Sequence, residues 1–160
     1  LELAYKNQTY NVCDLLIQEG VPLRMTDFPH VILISLHSLK TVVKRLKYTY
    51  TWDPKCDHAS KALANAYRKK KHDVCDLLIQ EGVSLTMKNL PDVVKEWKIS
   101  FEAVKKAVQH LKVTHNWDPK CEDASKALVI AHRVKKHDVS DLLILSGERL
   151  TDNEESSTSG

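Results

Sequence analysis

Twelve residues, Lys71 to Gly82 (KHDVCDLLIQEG), constrain this chain more than any other stretch because close versions occur twice more. Tyr10 to Gly20 reads YNVCDLLIQEG and Lys136 to Gly147 reads KHDVSDLLILSG. In each copy Val and two Leu fall at helical spacing, as Val74, Leu77 and Leu78 do, with Ile79 beside them. A glycine follows where a left-handed C-cap would close the helix. A helix this short cannot bury its apolar stripe alone, so it must pack against copies of its own kind, which is how repeat proteins are built.

The repeat length follows from the spacing. Trp52-Asp53-Pro54-Lys55-Cys56 recurs 65 residues later as Trp117-Asp118-Pro119-Lys120-Cys121, and Lys71-His72-Asp73-Val74 recurs at the same interval as Lys136-His137-Asp138-Val139. Val12 and Val74 are 62 apart, so the second interval is three residues longer. The difference is placed near Leu33, opposite Glu96 to Lys98. Composition agrees with an all-helical chain: four glycines and five prolines leave little room for hairpins, and 42% hydrophobic residues suffice for a packed core. No apolar run approaches the roughly 20 residues of a membrane span. The chain begins inside a repeat, since Leu1, Ala4 and Tyr5 align with Leu63, Ala66 and Tyr67, and is read as a fragment of a longer protein.

Taken in order, Leu1 to Asn7 ends an inner helix, Tyr10 to Gln18 is its outer partner, and Val21 to Met25 is an extended linker. Phe28-Pro29 opens a short apolar segment, Val31 to Leu36, paired with a helix whose stripe is Leu39, Val42, Val43 and Leu46. Asp53-Pro54 and Asp118-Pro119 read as helix starts, Asp as N-cap and Pro in the first turn. Ala59, Ala62, Leu63 and Ala66, like Ala124, Ala127, Leu128 and Ala131, make faces small enough for close helix approach. Pro91, Val93, Val94 and Trp97, the last expected in the core, begin a second variable pair. Its return helix carries Phe101, Val104, Val108 and Leu111. Residues 151–160 hold no apolar side chain and are expected to be a disordered acidic, Ser-rich tail.

Leu63 to Gly82 and Leu128-Val-Ile-Ala131 through Gly147 resemble the ankyrin repeat, whose inner helix ends in Leu-x-x-Ala and whose outer helix reads roughly Gly-His-x-x-Val-x-x-Leu-Leu-x-x-Gly; Leu1 to Gly20 is similar more loosely. A 65-residue interval is close to twice the ankyrin length of about 33. The resemblance implies a solenoid of stacked antiparallel helix pairs, about five units at 1–20 (truncated), 21–50, 51–82, 83–115 and 116–150. Where the family has Thr-Pro-Leu-His this chain has Ser60-Lys61-Ala62-Leu63 and Ser125-Lys126-Ala127-Leu128, and the Gly before the inner helix is absent. Irregular loops are therefore expected in place of regular hairpin fingers.

Chemistry-bearing residues are few. Cys56, His72 and Cys75, or Cys121 and His137, could gather around zinc, but the positions of His72 and Cys75 hold Tyr10 and Cys13 in one copy and His137 and Ser140 in another, so no fixed four-donor set recurs. No metal or cofactor is expected, and His72 and His137 are assigned to bonding a free backbone carbonyl or an adjacent N–H in the turn. The four cysteines lie within helical repeats, which favours reduced thiols and a cytoplasmic or nuclear setting. No Ser, His and Asp grouping, phosphate loop or dinucleotide fingerprint stands out, so no catalytic residue is assigned.

Net charge is +3; residues 148–160 carry four acids against one Arg, so the body is about +6, a modest value. The expectation is a non-enzymatic, monomeric protein-interaction module, a scaffold or adaptor, that binds another protein or an acidic peptide on the concave face. Loop position selects Arg24, Trp52, Lys55, Lys88, Trp117 and Lys120 as partner-binding residues. Each Trp has a second reading, folded over its own helix start. The alternative is nucleic-acid binding along a basic stripe formed by Arg68, Lys69, Lys70 and Lys71 with Arg133, Lys135 and Lys136.

Overall fold

The computed structural model describes residues 1–95 and 100–158, the residues from 148 onward as backbone only. All regular structure among them is helical. The chain divides into two compact units, Leu1–Ser84 and Leu85–Gly160. The first contains α1 (Glu2–Lys6), α2 (Tyr10–Gln18), a 3₁₀ helix (Met25–His30), α3 (Leu36–Tyr48), α4 (Asp57–Arg68) and α5 (His72–Gln80). The second contains a 3₁₀ turn (Met87–Asn89), α6 (Leu90–Lys95), α7 (Phe101–Val113), α8 (Glu122–Arg133) and α9 (His137–Thr158). No described helix is long and apolar enough to cross a membrane.

Among the described residues one backbone device closes seven helix ends. After α2 the Gly20 N–H bonds Ile17 O and the Val21 N–H bonds Leu16 O, the paired bonds of a Schellman motif, with Gly20 at φ +93°. Gly82 at φ +91° repeats it after α5. The other five ends place Gln8, Tyr50, Lys70, His115 and Lys135 in the left-handed region, φ between +57° and +61°, with the same two bonds at 2.8–3.2 Å. Each non-glycine residue there costs roughly 1 kcal/mol, offset by two satisfied carbonyls per turn.

At the other ends, Ser35 and Ser100 cap α3 and α7 by accepting the N–H of Ser38 and Ala103, both at 3.2 Å. The Asp-Pro pairs do not start helices. Asp53 and Asp118 accept the N–H of Lys55 and Lys120, a local Asx turn, and the N-caps fall three residues later on Cys56 and Cys121. A carboxylate that bonds two residues ahead holds a turn that competes with helix nucleation.

In the first unit the 3₁₀ helix packs on α1 and α4, while α3 packs on α2 and α5. Two rows result, one of α1, 3₁₀ and α4, the other of α2, α3 and α5. Ala62, Leu63 and Ala66 of α4 are fully buried, and Phe28 of the 3₁₀ helix is sealed in with them in the core. In the second unit α6 packs on α8 and α7 on α9 by the same plan. Val93, Val94, Val104, Val108, Leu111, Ala127, Ala131 and Val139 make its core, whereas Ala124 and Leu128 are only half-buried.

Three further expectations change. The helical piece of the first variable pair is Met25–His30, with Pro29 inside it, not Val31 to Leu36: Pro29 has no N–H to continue an α-helical ladder, and the piece stays a short 3₁₀ helix. Gly147 does not cap α9, which runs on through it. Where composition predicts an unstructured tail from Thr151, the backbone stays helical to Thr158, since Thr151 to Thr158 contains neither Pro nor Gly and each added residue extends an existing helix by one bond. Trp97 and the length difference at Glu96 to Lys98 lie outside the described residues.

Candidate functional site

A cavity of about 700 Å³ opens on the first unit between the Gly20–Met25 linker and the last two turns of α3. Its apolar floor is Val21, Leu23, Met25, Val42 and Leu46; Tyr48, Thr49 and Thr51 form one wall. The charged side chains lining it are Arg24, Lys44 and Arg45, with no acid among them. Lys44 is exposed, and Tyr48 is 86% exposed. Beyond the rim Tyr50 stands almost wholly in solvent because its left-handed backbone turns it away from the core.

The repeat shows why a groove exists here. In the second unit the linker residue Leu85 is clipped to the end of α7: its N–H donates to His110 Nε2 at 3.1 Å and its carbonyl accepts from Asn116 Nδ2 at 2.9 Å. Burial pushes the His110 imidazole below its ordinary value, which suits an acceptor nitrogen. The positions matching His110, Asn116 and Leu85 in the first unit are Arg45, Thr51 and Leu23. Arg45 reaches instead to Ile17 O, at 2.6 Å, and the Thr51 hydroxyl bonds Leu46 O. Neither clip is present in the first unit, where the cavity lies between linker and helix, Val21 and Met25 half-buried beside it and Leu23, Val42 and Leu46 nearly buried beneath.

The linker's far end is fixed by Asp27, buried at 7% exposure. Asp27 Oδ2 accepts the Arg24 backbone N–H at 3.2 Å and its Nε–H at 3.4 Å, and Oδ1 accepts the Tyr5 hydroxyl at 2.9 Å. Burial pushes the Asp27 carboxyl up, but those three donors outweigh it and hold it below the usual carboxylate range. Tyr5 is pushed up to about 12, by burial first and by Asp27 second. The His30 ring stacks on Tyr5 with centroids 5.1 Å apart. In the second unit Asn89 takes Asp27's place, accepting from the Thr86 N–H and hydroxyl.

Of the residues selected from sequence, Arg24 lines the groove. Trp52 is half-buried, packed edge-on against Phe28 with centroids 5.7 Å apart, and its indole N–H donates to Glu81 O at 3.3 Å. Trp117 is half-buried with Lys112 over its ring, and its indole nitrogen finds no hydrogen-bond partner among the described residues. Both indoles therefore pack against their own units. Lys55, Lys88 and Lys120 are exposed, Lys55 in the first unit and the other two in the second. The basic clusters likewise belong to different units, Arg68 to Lys71 at the α4–α5 turn and Arg133 to Lys136 at the α8–α9 turn. His72 and His137 are exposed.

All four cysteines are free thiols, and no group of three His, Cys, Asp or Glu suited to a metal occurs among the described residues. Burial pushes the Cys13 thiol up, as befits a packing residue. Sequence reading missed Val21, Met25, Lys44 and Tyr48 as site residues. The available signal was the tyrosine pair Tyr48 and Tyr50, two large side chains just past the buried stripe of α3. Neither a protein-family model nor a curated protein nor a solved structure matches the chain significantly.

Proposed function

We propose that this chain is a non-enzymatic interaction module of ankyrin-like helix pairs that takes an acidic peptide segment, bearing one large apolar residue, into the Gly20–Thr51 groove. The observation that carries the reading is the groove's composition, an apolar floor whose lining charges are all basic. An apolar side chain would gain by leaving water there, and flanking carboxylates would meet Lys44 and Arg24. The rows of helices in the first unit support the ankyrin-like part. So do Lys70 and Lys135, which take the left-handed backbone at the place of that family's glycine.

The test is selection of displayed peptides on the purified chain, followed by anisotropy titration of the selected sequence. Enriched peptides should carry Asp or Glu flanking a Leu, Phe or Trp. Tyr48→Ala and Lys44→Glu should each weaken binding by about tenfold, the 1.4 kcal/mol of a moderate anchor, with helix content unchanged. Failure to enrich any acidic motif, or variants that bind as tightly as the parent, would remove the reading. Retention of RNA or DNA with a steep salt dependence would favour the basic clusters instead.

A further inference from the structure

We infer that the exposed edge of the α1–α2 pair is a second interaction surface, distinct from the groove, and that its occupant is an amphipathic helical hairpin with a lysine on its polar side. The α1–α2 pair exposes Leu3 (74%), Val12 (44%) and Leu15 (55%). Sixty-two residues on, the same positions are Asn65, Val74 and Leu77 of the α4–α5 pair, where Val74 and Leu77 are 2% and 8% exposed.

The structure records what lies over that second copy. The 3₁₀ helix lies against α4, and Asn65 donates to Pro29 O at 3.0 Å. Helix α3 lies against α5, with Lys40, Lys44 and Lys47 on one side of a narrow seam and Leu77 and Glu81 on the other. Lys47 forms an ion pair with Glu81. The counterpart of Glu81 on the open edge is Glu19, which is exposed. The edge thus repeats the Leu and Glu that α5 presents to a lysine-bearing amphipathic helix, with the same Val three residues before the Leu.

The apolar pattern alone would fit many partners. The acid at position 19 selects among them: a hairpin placing a basic residue over the C-terminal end of α2 meets both Glu19 and the negative end of the helix. A hairpin placing an acid there meets like charge.

The surrogate occupant is the chain's own hairpin. Residues 21–62 are fused ahead of Leu1 of the full chain, in register because Leu63 is the counterpart of Leu1. Leu15→Cys is introduced in the parent and in the fusion, and labelling of residue 15 is followed by peptide-resolved mass spectrometry, which separates it from the four natural cysteines and, in the fusion, from the second copy of Cys56. Residue 15 should label readily in the parent and about tenfold more slowly in the fusion, as a covered site must wait for local opening. Glu19→Lys should leave the parent's melting temperature unchanged, lower that of the fusion, and be rescued there by Lys→Glu at the fused copy of Lys47. Equal labelling in the two chains, or no response to Glu19→Lys in the fusion, overturns the inference. Concentration-dependent dimers of the parent that vanish with Leu15→Glu would also overturn it, assigning the edge to a second copy of this chain.

Discussion

At the residue scale, the roles that sequence reading found hardest to assign are those set by a partner distant along the chain. Asp27 reads as an ordinary turn acid, yet it collects Tyr5 from 22 residues away and Arg24 from three. Its carboxyl is held below the usual range, so in the folded state it keeps its charge at pH values where the unfolded chain would already bind a proton. The stability it contributes is complete above the unfolded value of about 3.8 and is lost as pH falls through the lower folded value. Asp27→Asn should flatten that acid limb of a urea-stability profile below pH 4 while keeping the short 3₁₀ helix, as Asn89 does in the second unit. An unchanged acid limb would show that Asp27 is not linked to folding. The histidine assignment failed for the same reason: His110, which sequence reading passed over, accepts a structural bond from Leu85, 25 residues away.

At the element scale, most of the helices were legible. Tyr10 to Gln18 is the helix the Val-Leu-Leu spacing predicts, and α3 and α7 carry the expected stripes. The Asp-Pro starts misled because a good N-cap residue is also a good Asx-turn residue, and only the fold decides between them. The glycines separate two kinds of helix end. Gly82 sits at φ +91° beside Pro54, so Gly82→Ala should destabilise by about 1 kcal/mol through backbone strain. A Cβ added at Gly147 would meet the Pro119 side chain at 3.4 Å, ordinary contact, and the residue lies inside α9, where alanine has the better helix propensity. Gly147→Ala should be neutral or stabilise by up to ~1 kcal/mol. Urea melts of the two variants decide this, and equal losses in both would mean that α9 ends at Gly147 after all.

At the scale of the whole molecule, the 65-residue interval announced a repeated plan, and each of the two units carries it out with a core of its own. The groove was not legible, because it arises where Arg45 and Thr51 replace a histidine and an asparagine whose bonds span 25 and 31 residues. Repeat architectures sum local and neighbour terms, so a defect is felt first where it is made. Phe28, fully buried in the first unit, is a direct probe. Phe28→Ala, a loss of about 3–5 kcal/mol, should lower hydrogen-exchange protection across Leu1–Ser84 before it lowers protection in residues 85–147. Uniform loss in both units would instead establish one all-or-none cooperative block.

The five side-chain-bearing residues in left-handed turns carry an evolutionary corollary. Because paired backbone amides and carbonyls close all five bends, with threonine hydroxyls added at three of them, selection can rewrite the outward-pointing left-handed residue itself without renegotiating the architecture. Lys70 and Lys135 occupy equivalent bends today, and either could drift to an acid, an aromatic or a glycosylatable asparagine while the hairpin beneath kept its shape.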